Sequence, residues 1–185
     1  AGTARLGPGC RQTTMSTAAP RVVSTSPSGT KICCALGVEP VAVSHACDFP
    51  PAVWDTPRIN TSRVDATDSA TRDRQAADGD VYDVDLAALR DAQPELILTQ
   101  SVCGVCAVDE ALVTEHLADL DVDPDVLGLS ASTLADVYDC ITEVGAALGR
   151  EAVAAELVDQ MERTVETVAA ETDADDRPTV AVIEW

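Results

Sequence analysis

Short runs of aliphatic residues alternate along this chain with segments whose apolar residues follow the helical period. Four of the runs have the composition of buried strands and lie at residues 21–26, 41–44, 95–99 and 125–129. Strands separated by helices pair in parallel, and each crossover between them is right-handed. The alternation therefore predicts an α/β fold: a Rossmann-like lobe with a four-stranded parallel sheet and helices on both faces.

Helix signals stand between and after these runs. Pro27 opens a helix that Gly37 ends, and Thr133 with Asp136 forms a capping pair for a later helix. The apolar face of that later helix is predicted at positions 134, 137, 141, 144 and 148. Further helices are predicted at residues 85–91 and 108–120, with a short one at 70–77.

The longest uninterrupted helical pattern follows this alternating region. Residues 150–172 contain neither glycine nor proline. Their apolar side chains recur at spacings of three and four, at Val153, Leu157, Met161, Val165 and Val168. Such a helix is about 34 Å long, which exceeds the diameter of a small α/β domain. The pattern predicts a helix that connects two lobes.

Domain boundaries follow from these elements. We expect a disordered leader at residues 1–20, the α/β lobe at 21–149 and the connecting helix at 150–172. Residues 173–185 comprise an acidic linker and a run at 179–183 that is typical of a strand. This would be the first strand of a second lobe that the sequence lacks, so a truncated protein is predicted.

The charge of the chain excludes one class of partner. The sequence has 32 acidic and 12 basic residues, a net charge of −20, and Lys31 is its only lysine. Such a surface repels phosphate backbones, which excludes nucleic-acid binding. Because the acidic residues are scattered, we interpret them as a solvated, halophilic shell whose self-repulsion is screened at high salt.

The chemically distinctive residues lie after the predicted strands. In open α/β sheets the ligand lies beyond the carboxyl ends of the strands, so these positions share one edge. The candidate ligand-binding residues there are Ser26, Ser28, His45, Cys47, Asp48, Phe49, Pro50, Gln100, Cys103 and Cys106. Arg63, in a polar segment, is a candidate contact for an anionic group. We expect Phe49 and Pro50 to fit the shape of the ligand through van der Waals contact, and Ser28 and Gln100 to form hydrogen bonds with it.

Seven cysteines cannot all pair within one chain, so some are free, bound to a metal or catalytic. His45 and Cys47 form an H-x-C motif, and Cys103 and Cys106 form a C-x-x-C motif. Together these make a ligand set of the kind that binds zinc or iron. A local disulfide or a redox pair is the alternative for C-x-x-C. The thiols predicted to be small core side chains are Cys33, Cys34 and Cys140.

Five segments carry a family resemblance: RVVSTSPSGT (21–30), ALG (35–37), VAVSHACDFPP (41–51), PELILTQ (94–100) and CGVCA (103–107). Together they resemble the opening of bilobed ABC-transporter solute-binding proteins. The cobalamin-binding (vitamin B12) branch is the most similar, and siderophore-binding proteins are its relatives. The resemblance runs from about residue 21 to residue 185.

The resemblance implies a non-enzymatic solute-binding component of an ABC importer, with two Rossmann-like lobes that hold the ligand between them. Residues 150–172 match the helix that joins the lobes, and 179–185 match the first strand of the distal lobe. The implied ligand is cobalamin or a related corrinoid or siderophore-like metal chelate, whose metal His45 or a cysteine contacts directly or through water. An extracytoplasmic location is implied; no secretory signal is visible in residues 1–20, so a cytoplasmic location stays open.

One position departs from the family. Directly after the Thr of its Ser-Pro-x-x-Thr motif the family places a glutamate, which docks on an arginine of the permease. This sequence has Lys31 there. A cation facing an arginine repels it, so an ABC permease stays the implied partner while the family's docking contact at this position does not carry over.

Two other functions remain open from the residues alone. Cys103 follows a predicted strand and precedes a helix, a placement that lowers a thiol pKa and favours a thiol–disulfide oxidoreductase. Alternatively, His45, Cys47, Cys103 and Cys106 form a structural metal site that joins two loops without binding a ligand.

Overall fold

The computed structural model describes residues 19–62, 82–100, 122–172 and 179–182. The strands in these ranges are β1 (Val22–Ser24), β2 (Ala42–Val43), β3 (Asn60–Ser62), β4 (Tyr82–Val84), β5 (Leu96–Gln100) and β6 (Asp125–Leu129). The helices are α1 (Pro27–Ala35), α2 (Leu86–Ala92), α3 (Leu134–Ala147) and α4 (Glu151–Glu171), with a 3₁₀ turn at Pro51–Val53.

Four strands form one parallel sheet in the order β2-β1-β5-β6. The register places Val23 beside Ala42 on one side and Ile97 on the other. Along β5 and β6, Leu98 pairs with Leu127. The four strands are those predicted from the aliphatic runs, with ends shifted by up to two residues, and the predicted parallel α/β fold is confirmed.

Alternate side chains of the sheet enter two separate hydrophobic clusters. Val22, Leu96 and Leu98 face α1, α3 and α4, whereas Val23 and Ile97 face α2 on the opposite side. A strand projects successive side chains to opposite faces, so a run that is aliphatic throughout is buried on both. Each fully buried side chain contributes about 1.5–3 kcal/mol.

The helix ends follow the sequence signals. The Thr133 hydroxyl accepts from Asp136 N at 3.2 Å, and the Asp136 carboxylate accepts from Thr133 N at 2.8 Å, which completes a capping box. Backbone N–H groups of Ser132 and Thr133 hold the pKa of Asp136 below its usual value. At the end of α1, Gly37 has φ +78, a conformation that glycine adopts without steric cost.

The long helix α4 packs on the lobe through its first half. Ala154 is buried, and Leu157, Val158 and Met161 pack against the core beside it. Further along, Val165 and Val168 are 43% and 58% exposed. The predicted helix at 150–172 therefore exists, and its second half leaves apolar side chains uncovered by the described residues.

Some parts of the fold differ from the prediction or lie outside the description. Strands β3 and β4 form an antiparallel pair that was not predicted, because Asn60–Ser62 is short and polar. Residues 179–182, which belong to the run predicted as a strand, are not in a strand. The predicted helices at 70–77 and 108–120 lie outside the described residues. No described helix is long and apolar enough to cross a membrane.

A close approach of α3 and α4 yields the first prediction. A Cβ on Gly145 would overlap the Cβ of Ala154, so Gly145→Ala should destabilise the fold by about 1–3 kcal/mol. A glycine-to-alanine change inside a helix normally stabilises a protein by about 1 kcal/mol. A loss of stability at this position would therefore indicate the clash with Ala154. Urea unfolding measures it, and Gly145→Ala with Ala154→Gly should recover most of the loss. A single variant more stable than the wild type would contradict the contact.

Candidate functional site

Helices α1 and α3 and the carboxyl ends of β5 and β6 border a cavity. Its volume is about 220 Å³, and the described residues that line it are Ser28, Ile32, Gln100, Leu129, Ala131, Val137 and Cys140. Ser28 comes from the first turn of α1, and Gln100 is the last residue of β5. The structure therefore brings together the two residues predicted to donate hydrogen bonds to a ligand.

Most of the cavity wall is apolar and was not predicted. Ile32 lies one turn after Ser28 on α1, while Val137 and Cys140 come from α3. The helical spacing marks these residues as facing inward. The sequence does not show whether Ile32, Val137 and Cys140 face a cavity or a filled core, because that depends on how α1 packs against α3.

Ser26, also predicted as a ligand residue, lies behind Ser28. It is fully buried, and its hydroxyl caps α1 by accepting from Gly29 N at 3.2 Å. The hydroxyls of Ser26 and Ser28 lie 3.3 Å apart. A Cβ on Gly29 would meet the Ser24 hydroxyl at 3.0 Å, so glycine permits this close packing against β1. Ser26 thus holds the turn from which Ser28 reaches the cavity.

The residues after β2 form what we call the presenting loop, residues 44–53. Cys47 points inward: its thiol is fully buried and accepts a hydrogen bond from the Thr30 hydroxyl at 3.1 Å. Burial raises the pKa of Cys47, with the Thr30 hydrogen bond acting in the opposite direction. The thiol is therefore protonated at neutral pH and contacts α1 rather than solvent.

His45, Asp48 and Phe49 point outward from the same loop. Phe49 is 55% exposed, and Lys31 Nζ lies 5.8 Å from the centre of its ring, a cation–π contact. Trp54 lies just beyond the loop, where its indole Nε1 donates to Asp48 O at 2.7 Å. The loop thus offers an aromatic surface at the same end of the sheet as the cavity.

The predicted metal ligands are not assembled in the part of the chain that the structure describes. His45 is exposed whereas Cys47 is buried, so their side chains do not converge. Cys103, Cys106 and Arg63 lie outside the described residues. Among the residues described, no group of three His, Cys, Asp or Glu side chains could hold a metal ion. The four-residue metal site stays a prediction.

The remaining described thiols are packed side chains. Cys33 and Cys140 are buried, as predicted for core residues, and Cys34 is half-buried. Burial raises the pKa of Cys33 to about 12 and also raises those of Cys34 and Cys140. A protonated thiol is a poor nucleophile, so these three residues do not suit thiol–disulfide exchange.

A second cavity lies at the opposite edge of the sheet. Its volume is about 510 Å³, and Glu95, Asp125 and Glu143 are among its lining residues. It adjoins the amino ends of β5 and β6, where α/β proteins do not place their ligands. The smaller cavity at the carboxyl edge is therefore the candidate site.

The buried thiol of Cys33 makes a pH prediction. As pH rises from 9 towards 12, the unfolded chain releases this proton while the folded chain keeps it. The contribution of this thiol to the free energy of unfolding is therefore fully present below pH 9. Above pH 9 it should fall by on the order of 1 kcal/mol per pH unit. Urea unfolding between pH 8 and pH 11 should show a shallower decline for Cys33→Ala. The exposed control Thr142→Ala should keep the wild-type slope, and parallel curves for all three proteins would refute the assignment.

Comparison with known proteins gives a family and a set of structural neighbours. The family model described as "Periplasmic binding protein" matches residues 22–185. No curated protein sequence matches the chain. Among solved structures, a possible iron-binding (periplasmic solute-binding) protein from Staphylococcus epidermidis is 24% identical with a TM-score of 0.61. The alignment covers 84% of this chain and 52% of that one.

Two further structures have the same fold at lower identity. The periplasmic vitamin B12 binding protein BtuF of Vibrio cholerae is 16% identical with a TM-score of 0.59, covering 83% of this chain and 51% of that one. IsdE of S. aureus, complexed with heme, is 18% identical with a TM-score of 0.54, covering 83% and 50%. The chain thus spans about half the length of these structures.

Proposed function

This chain belongs to the periplasmic binding protein family, and from that premise we propose that its lobe forms one face of a binding site for a metal-chelate solute. The family match confirms the resemblance found in the sequence, and it confirms a binding protein rather than an enzyme. The observation that carries the proposal is the carboxyl-edge cavity, where Ser28 and Gln100 lie among apolar walls.

The size of the cavity supports a shared site. Pockets that enclose a small molecule usually have volumes of about 300–1,000 Å³. At about 220 Å³, this cavity is large enough for only part of a chelate. The ligand would therefore lie across the edge of the sheet, in contact with the cavity and the presenting loop, and a second lobe would cover its other side.

The proposed ligand class is a corrinoid, a heme or a ferric siderophore, with cobalamin first among them. The solved structures of the same fold include proteins described as binding vitamin B12, heme, staphyloferrin B, and acinetobactin with ferric iron. Cobalamin comes first because segments 41–51 and 94–107 resemble the cobalamin-binding branch. On the presenting loop, Phe49 and Pro50 would contact the ring system, and the exposed His45 would approach its metal.

The same proposal extends to transport. We propose an extracytoplasmic partner of an ABC permease, in which α4 leads to the second lobe. The uncovered side chains of Val165 and Val168 support this, since a lobe packed there would bury them. Lys31 lies over the Phe49 ring, so a docking contact at this position would carry a positive charge.

Calorimetry tests the proposal directly. Titration of the folded chain with cyanocobalamin, heme and a ferric siderophore should give binding heat for at least one of them, and heat from none, with the fold verified by circular dichroism, would contradict it. Ser28→Ala and Gln100→Ala should each weaken binding about 2- to 10-fold, as expected for one lost hydrogen bond. The exposed hydroxyl of Thr142 on α3 provides the control, and Thr142→Ala should bind as the wild type does.

The aromatic surface permits a separate prediction. Because Phe49 is 55% exposed, Phe49→Ala should change the free energy of unfolding by less than about 1 kcal/mol. It should nevertheless weaken ligand binding by about 10-fold, since the ring would lose its contact area with the ligand. Urea unfolding and the same calorimetric titration measure the two effects. A fall in stability with unchanged affinity would contradict a ligand contact.

A further inference from the structure

We infer that Arg58 is a positioning residue, which holds the presenting loop in the shape that the ligand meets. The inference rests on the proposed function, because it assigns a role in ligand binding to a residue outside the loop. Arg58 follows the loop in sequence and is half-buried beneath it.

The Arg58 guanidinium joins three separate points of the loop. Nη1 donates to Ser44 O at 3.2 Å and to Cys47 O at 2.7 Å, and Nη2 donates to Val53 O at 3.3 Å. These carbonyls belong to the first, a middle and the last residue of the presenting loop. One planar group with fixed N–H directions thus sets the distances between them, which a lysine ammonium could not do.

The backbone of Arg58 is itself fixed to the sheet. Val43 N donates to Pro57 O at 2.9 Å, and Ile59 N donates to Val43 O at 3.0 Å, so residues 57–59 continue the sheet beside β2. Ile59 is buried in the second hydrophobic cluster. The loop is therefore held from a rigid base.

Asn60 adds a second attachment from the same base. Its Oδ1 accepts from His45 N at 3.0 Å, directly beneath the exposed histidine. Its Nδ2 is buried and has no hydrogen-bond partner among the described residues. The bond from His45 N therefore connects the loop backbone to a side chain that is itself buried at the base.

The charge of Arg58 is directed at the loop. Its guanidinium N–H groups meet the carbonyl oxygens of Ser44, Cys47 and Val53, and hydrogen bonds from a charged donor are stronger than neutral ones. A loop ordered before binding loses less conformational freedom when the ligand arrives, so its affinity is higher.

The test combines loop order with ligand affinity in Arg58→Lys, which keeps the charge but removes the planar group. Amide hydrogen exchange at His45 and Cys47 should become at least 10-fold faster, with the amides of β5 unchanged. Acrylamide quenching of Trp54, made the sole tryptophan by Trp185→Phe, should increase as well. Affinity for whichever of cyanocobalamin, heme or the siderophore binds the wild type should fall at least 5-fold.

Arg90→Lys, on the exposed side of α2, is the matched control and should change neither readout. Unchanged exchange in the loop of Arg58→Lys would overturn the inference, as would β5 amides that accelerate as much as the loop. If Arg58→Lys does not fold, Arg58→Gln is measured in the same way, and failure of both to fold would assign Arg58 to global stability and overturn the inference. The hydrogen-exchange measurement needs no ligand. If none of the three ligands binds the wild type, the proposed function fails, but the exchange result still shows whether Arg58 orders the presenting loop.

Discussion

Parallel pairing of β1 with β2 on one side and β5 on the other brings the turn after each strand to the same edge of the sheet. Reversing any of these strands would move its turn to the opposite edge. The N-terminus of α1, the presenting loop and the end of β5 are neighbours for this reason alone. Right-handed crossovers then place the connecting helices over the faces of the sheet.

Polar groups buried at this edge are directed at one another rather than at solvent. Ser26 caps α1, Thr30 donates to the thiol of Cys47, and Arg58 donates to three carbonyls of the presenting loop. The groups left pointing outward are different in kind: the hydroxyl of Ser28, the amide of Gln100, the ring of Phe49 and the imidazole of His45. These inward-directed hydrogen bonds hold the outward-pointing side chains in position, and a site that is ordered before binding loses less conformational freedom when a ligand arrives.

The sequence predicts most where a signal is local. β6 matches its prediction residue for residue, because the aliphatic side chains of 125–129 (Asp-Val-Leu-Gly-Leu) lie between a proline and a helix cap. The capping box of Thr133 and Asp136 and the length of α4 are equally local. The antiparallel pairing of β3 with β4 could not be predicted, since Asn60–Ser62 is short and polar and its partner strand lies about 20 residues further along the chain. Nor could the cavity wall of Val137 and Cys140 be predicted, because it depends on how α3 packs against α1. The role of Arg58 could not be predicted, because its hydrogen-bond acceptors are backbone carbonyls and these leave no pattern in the sequence.

Amide hydrogen exchange with and without cyanocobalamin tests most directly whether the ligand binds at the carboxyl edge of the sheet. Binding at this edge should slow exchange at residues 28–32, 45–49 and 129–131, with the far edge unchanged. Slower exchange around residues 95–96, 125–127 and 143–147 instead would place the ligand in the larger, acidic cavity at the amino edge and contradict the claim.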